Sequence, residues 1–209
     1  MVSEKRRRTG TTAGELLSQL SADPEFQRQK AERDADLERR TAVLRLAEQP
    51  IVADLWAAGY EVSSVWDLVN TSTPYPNALP VLLDHLSRGG YPDRVMESLG
   101  RALAVRPASF AWFVLRDLYV RAKGPGEREG LAVALAASAT AEHFDALVAL
   151  LEDEGNDNRI HFLQPIKDLG GERGVEVLER HSGDPLFAGE VKNLLRAPRA
   201  RRTPAGEQG

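Results

Sequence analysis

Cysteine is absent from all 209 residues. That excludes a disulfide framework, thiolate zinc or iron–sulfur sites, and cysteine nucleophiles. Apolar runs of membrane-spanning length are missing as well. The basic start, Lys5 to Arg8, is followed by polar and small residues rather than the apolar core of a signal peptide. Position two is Val2 and no lipidation box closes the chain, so no membrane partner is expected and the expected location is the cytoplasm. Period-2 alternation of β-branched residues never persists for a strand's length, which argues against β-rich folds.

Catalytic signatures are scarce in the same way. The histidines are His85, His143, His161 and His181, none four residues from another and none in an HExxH pattern. Each reads as a surface or helix-end residue, and no metal site is expected. The run GPGEREG from Gly124 lacks the Lys-Ser/Thr pair of a phosphate loop and any preceding strand, so it reads as an interhelical turn. No GxSxG elbow occurs. The expectation is a chain without catalytic activity, metal or cofactor.

What is present is charge with a pattern. The net charge is −4, but residues 1–10 carry +3 and residues 196–209 carry +3, which leaves the body between them at −10. Residues 1–10 and 197–209, rich in Arg, Gly, Thr and Pro, read as disordered solvated tails. Nucleic acid is expected to be bound, if at all, through these Arg-rich ends, since phosphate neutralisation needs clustered cations. The acidic body suits a basic protein partner.

Helix signals dominate the body. Thr11 and Thr12 can cap a short turn containing Leu16, Leu17 and Leu20. Asp23 before Pro24 is an N-cap followed by an N1 proline, opening a charged helix to Gln49 with Asp36 spaced to pair Arg39 or Arg40. Its first half is expected to project or to lie loosely on the surface. A separate apolar helix is expected from Pro50 to Ala58, ended by Gly59. Ser63 or Ser64 can cap the short helix VWDLVN. The prolines and hydroxyl residues of Asn70–Pro80 break helical structure there, making either a binding loop or a linker. Residues 11–76 thus form a helical N-terminal extension.

From residue 77 the chain reads as helix pairs: 78–88 with 92–105, 107–122 with 126–138, 140–153 with 158–169, and 172–181 with 185–196. First members contain ALPVLLDHL, AWFVLRDLY, HFDALVALLED and RGVEVLERH. Leu82, Leu115 and Leu147 stand 33 and 32 residues apart, and Arg94, Arg128 and Arg159 recur at 34 and 31 in the second members. Such a period predicts an all-α fold, an α-solenoid of about four antiparallel helix pairs over 77–196, because one pair cannot bury its apolar faces alone.

At these residues the chain resembles the HEAT-repeat superfamily, particularly its short bacterial, phycobilisome-lyase-like version. The resemblance rests on Asp84, Asp117 and Asp153 ending the first helices, on the early Arg of the second, and on Leu99-Gly100 and Leu169-Gly170 near its end. The second unit has Ala-Leu-Ala where Leu-Gly is expected, Pro165 interrupts the third unit's second helix, and the fourth unit lacks the Arg. The whole chain is similar to bacterial HEAT-like proteins with a helical N-terminal extension, a resemblance that implies architecture and no activity. By analogy alone it also admits a lyase-type helper of a chromophore-bearing protein.

The expected function is a non-catalytic protein–protein interaction module, an adaptor, regulatory or neutralising partner, using a solenoid groove. The candidate contact residues are Tyr75, Tyr91, Arg94, Glu97, Arg101, Arg128, Arg159 and His161. The three arginines either form a ladder for an acidic partner or brace neighbouring units through acids such as Asp84 and Asp117. The alternative is a nucleic-acid-binding HEAT-like protein, of degenerate alkylpurine DNA glycosylase type or acting through its tails. Those enzymes hold damaged DNA with aromatic and Asp residues, and Trp112 and Asp117 share a helix here. The competing assignment places Trp112, Phe113 and Leu115 in the core, and the charge of the body favours it.

Overall fold

The computed structural model describes residues 12, 14, 18, 21–153, 155 and 157–196. The basic tails 1–10 and 197–209, and the expected turn around Leu16, Leu17 and Leu20, lie outside the described residues. Every regular element among the described residues is helical. The α-helices are α1 (Pro24–Ala57), α2 (Val65–Val69), α3 (Leu79–Arg88), α4 (Asp93–Ala102), α5 (Trp112–Arg121), α6 (Pro125–Ser138), α7 (Phe144–Glu152), α8 (Leu163–Gly170), α9 (Glu172–Arg180) and α10 (Ala188–Arg196). The fold class is all-α. No described helix is long and apolar enough to cross a membrane.

The chain divides into two compact units, Met1–Leu46 and Ala47–Gly209. In the first, Asp23 accepts the Glu25 N–H at 2.9 Å, the N-cap expected before Pro24. Asp36 pairs with both Arg39 and Arg40, at 3.5 and 2.7 Å. Leu37, Val43 and Leu46 are exposed.

Where two helices were expected around Pro50, there is one. α1 continues through Pro50 as far as Ala57. A proline inside a helix removes one backbone hydrogen bond and costs about 3 kcal/mol. Ile51 and Leu55 offset this, since both are fully buried immediately after the proline. The helix then ends as its glycine predicts. Gly59 has φ +92°, and the N–H groups of Gly59 and Tyr60 donate back to Trp56 and Leu55 in a Schellman arrangement. Ser64 caps α2 in a full capping box with Asp67. The carboxylate of Asp67 accepts the Ser63 backbone and hydroxyl groups and the Ser64 N–H, and these bonds hold its pKa below the ordinary value.

In the second unit, α3, α5, α7 and α9 each pack on their own second helix, α4, α6, α8 and α10. α4 also meets α2, and the second helices meet in succession, α4 with α6, and α6 with α8 and the 3-10 turn before it. The α4–α6 contact is the most extensive of all. Two glycines explain it. A Cβ on Gly100 would lie 2.5 Å from the Gly130 carbonyl carbon, and one on Gly130 would lie 2.5 Å from the Glu97 carbonyl oxygen. Backbone therefore rests on backbone, which no larger side chain permits.

Short 3-10 turns lead into α3, α5 and α7, at Pro76–Ala78, Arg106–Ala111 and Ala141–His143. The helix expected at 107–122 is therefore a 3-10 turn followed by α5. Likewise the expected helix 158–169 is a 3-10 turn, Asp157–Phe162, followed by α8. Pro165 falls in the first turn of α8, where its missing N–H has no helical acceptor to lose.

Candidate functional site

Four of the eight candidate residues lie on second helices, Arg94, Glu97 and Arg101 on α4 and Arg128 on α6; Arg159 and His161 lie in the 3-10 turn before α8, and Tyr75 and Tyr91 lie in loops. On α4, Arg94 donates to Glu97 at 2.6 Å and lies 4.6 Å from the centroid of the Trp66 ring on α2. Arg101, one turn beyond Glu97, donates to it at 2.8 Å and to Glu129 of α6 at 3.2 Å. Glu129 also accepts from Asn158 at 2.5 Å and meets the Nε2 of His161 at 3.0 Å. A carboxylate only accepts, so that imidazole nitrogen carries its proton. One line of alternating charge thus runs from α2 through α4 and α6 to the turn before α8. It joins four of the sequence candidates, Arg94, Glu97, Arg101 and His161.

The other four lie apart from it. Tyr75 is buried, and its hydroxyl donates to the Ala102 carbonyl at 2.9 Å. Burial pushes its pKa up. Tyr75 nevertheless shares with Arg101 a cavity of about 400 Å³, walled by Thr71, Ser72 and Val105. Tyr91 bonds through its hydroxyl to Nδ1 of His85 at 2.7 Å, and Nε2 of His85 faces Asp54 at 2.9 Å. Arg128 donates to the Ala122 carbonyl at 2.7 Å. Arg159 is buried, donates to the Leu151 carbonyl at 3.0 Å, and lies 4.8 Å from the Phe187 ring centroid. Arg128 and Arg159 each bond a carbonyl at the end of the first helix in their own pair, and Arg159 also pairs at 3.9 Å with Asp184 of the next pair, an acid of a neighbouring unit as expected, although not Asp84 or Asp117. A carbonyl there has no further helical N–H to accept from, and a guanidinium supplies one.

Sequence reading passed over Glu129, Asn158 and Trp66. The signal for Glu129 was present: Glu97, Glu129 and His161 stand at successive intervals of 32 residues, one repeat period. The contacts of α6 with α4 and with the turn before α8 bring these equally spaced positions together.

Two of the histidines lie at helix ends, as expected, but not on the surface. His85 is 1% exposed and His143 is 2% exposed. His85 is satisfied on both nitrogens by Asp54 and Tyr91. His143 stacks on Trp112 with ring centroids 4.3 Å apart, and its Nδ1 accepts the Thr140 N–H at 3.0 Å, capping the turn before α7. Burial holds its pKa below the ordinary value. Trp112 itself is buried and its indole N–H donates to the Leu135 carbonyl at 3.0 Å, so its face and its donor are both occupied. Leu115 is buried with it, but Phe113, assigned to the same core, is half exposed. Its ring sits at the edge of the Trp112–His143 stack because it lies one residue round the helix from Trp112.

The GPGEREG run has an occupant. The Asp93 carboxylate, from the previous pair, accepts the N–H groups of Gly126 and Glu127, each at 2.9 Å. A Cβ on Gly124 would collide with that carboxylate. The turn is thus an anion cradle at a helix N-terminus whose anion belongs to the chain. No group of three or more metal-ligating side chains occurs among the described residues. No family model matches the chain, and no curated protein or solved structure is detectably similar to it.

Proposed function

We propose that the chain is a non-catalytic protein-interaction module, built as a HEAT-like α-solenoid whose second helices line a groove. The observation that carries this is the line from Trp66 through Arg94, Glu97, Arg101 and Glu129 to His161. It spans α2, α4, α6 and the turn before α8 in sequence order, and an extended partner could follow it. Paired charges of alternating sign reward a complementary partner and penalise a mismatched one, which gives specificity more than affinity. The acidic balance of the body supports a partner that is basic overall. Two candidates, Arg128 and Arg159, serve in this proposal as internal braces rather than contacts.

Arg94 is the most exposed charged member of the line, with 58% of its side chain in water. Affinity capture from a native extract, with wild type and Arg94→Glu side by side, should recover a specific protein with the wild type and lose it with the variant. Hydrogen exchange with that protein added should fall in α4 and α6. Capture that survives the reversal, or protection elsewhere, would sink the groove assignment.

A further inference from the structure

A second surface lies on α5 and the turn before it and shares no residue with the charged line. Phe110, Phe113, Val114 and Val120 are 63, 52, 45 and 64% exposed. In α5, positions 113, 117 and 120 follow helical spacing, so Phe113, Asp117 and Val120 form one stripe with Val114 beside it. The opposite side of the same helix, Trp112, Leu115 and Tyr119, is in the core. α5 is therefore apolar on both faces while only one is covered. Single exposed apolar side chains are ordinary, but four on one short stretch make a patch.

The charge of this stretch is also reversed. Residues 106–123 carry Arg106, Arg116, Arg121 and Lys123 against Asp117, a net of +3, inside a region, 47–195, whose net is −9. Arg116 pairs with Asp117 at 2.8 Å and lies 5.3 Å from the Phe113 ring centroid. Arg106 and Lys123 have no ion-pair partner among the described residues.

We propose that this surface docks an acidic amphipathic helix of a partner protein. Its apolar side chains would cover the Phe113–Val120 ridge, and its carboxylates would meet Arg106, Arg121 and Lys123. Phe110 and Phe113 would take a base as readily as a leucine, but Val114 and Val120 offer a nucleic acid nothing to stack on and suit a leucine-bearing helix. The site shares no residue with the line through Arg94 and Glu129, so it stands whether or not that line is a groove. With both, the chain would hold a basic partner and an acidic one at once.

The test uses the full chain and a fluorescein-labelled synthetic peptide with leucines at i, i+3, i+4 and i+7 and glutamates elsewhere, read by fluorescence anisotropy. The acidic peptide should bind at least about tenfold more tightly than its lysine counterpart. The pair Phe113→Ser and Val120→Ser should weaken it at least about tenfold in a protein whose circular dichroism spectrum shows it folded, and Val120→Ser alone, whose side chain faces water, should weaken it with the melt unchanged. Arg106→Glu with Lys123→Glu should weaken it and reduce its salt dependence. Equal binding of the two peptides, or binding indifferent to the serine pair, overturns the proposal. So does preferential binding of phosphatidylserine vesicles or of single-stranded oligonucleotide through the same residues. Self-association abolished by the serine pair would assign the ridge to a second copy and overturn it equally.

Discussion

His143 shows how one residue joins three demands. Its ring completes the stack on Trp112, its Nδ1 caps the turn at Thr140, and the cap requires the neutral imidazole in a site that water barely reaches. A proton on Nδ1 would abolish the acceptor, and burial opposes the charge, so the folded-state pKa lies below the ordinary histidine value. The sign follows from linkage: the unfolded chain binds the proton more readily, so stability rises with pH. This contribution is complete above the unfolded pKa of about 6.5 and is lost as pH falls toward the folded value. Thermal melts at pH 7.5 and 5.5 should show a loss of Tm in the wild type. In His143→Asn, which keeps an acceptor and removes the titration, the loss should be smaller. Identical pH dependence in the two proteins would refute the assignment to His143.

At the scale of elements, glycine and proline do most of the positioning. Gly100 and Gly130 let α4 and α6 touch backbone to backbone, and Gly170 leaves room for the Phe144 ring. Gly130→Ala would drive a methyl group into the Glu97 carbonyl, where no flexible side chain can yield. The expected cost is about 1–3 kcal/mol, the range for overpacking a close contact. Helix propensity alone would predict a gain of up to about 1 kcal/mol from the same change. Urea unfolding therefore decides by sign as well as by size, and a stabilised Gly130→Ala would show that the helices can separate freely.

Punctuation of this kind was legible in the sequence. Gly59, Ser64, the Gly89-Gly90 pair and Pro125 mark real helix ends, and the spacing of Leu82, Leu115 and Leu147 located three buried first-helix positions. Pro50 misled because local propensity weighs a lost hydrogen bond but not the tertiary burial of Ile51 and Leu55 that outweighs it. The site was half legible for a related reason. Residue type and period select Arg94, Glu97, Arg101 and His161, but which carboxylate each cation meets depends on which helices stack. Arg128 and Arg159 share the period of Arg94 and yet bond carbonyls at the ends of their own first helices, with Arg159 also pairing Asp184 of the next pair.

At the scale of the whole molecule, the principal contacts of the second unit join pairs that are neighbours in sequence. Stability in such an arrangement divides into the strength of each pair and the coupling between pairs, and coupling decides whether the unit unfolds as one. Glu129 is where coupling concentrates, since it receives Arg101 from the pair before and Asn158 and His161 from the pair after. Glu129→Gln keeps a single acceptor and removes the charge that holds three donors. Hydrogen bonds to a charged group contribute about 1.5–3 kcal/mol each in favourable settings, and part-exposure places these toward the lower end. The wild type should unfold in urea as one transition. The variant should show a lower apparent m-value, with amide exchange rising first across α8 to α10 and later across α3 and α4. A lower midpoint with m unchanged, and exchange rising evenly, would mean that Glu129 strengthens its own helix pair without linking it to the next.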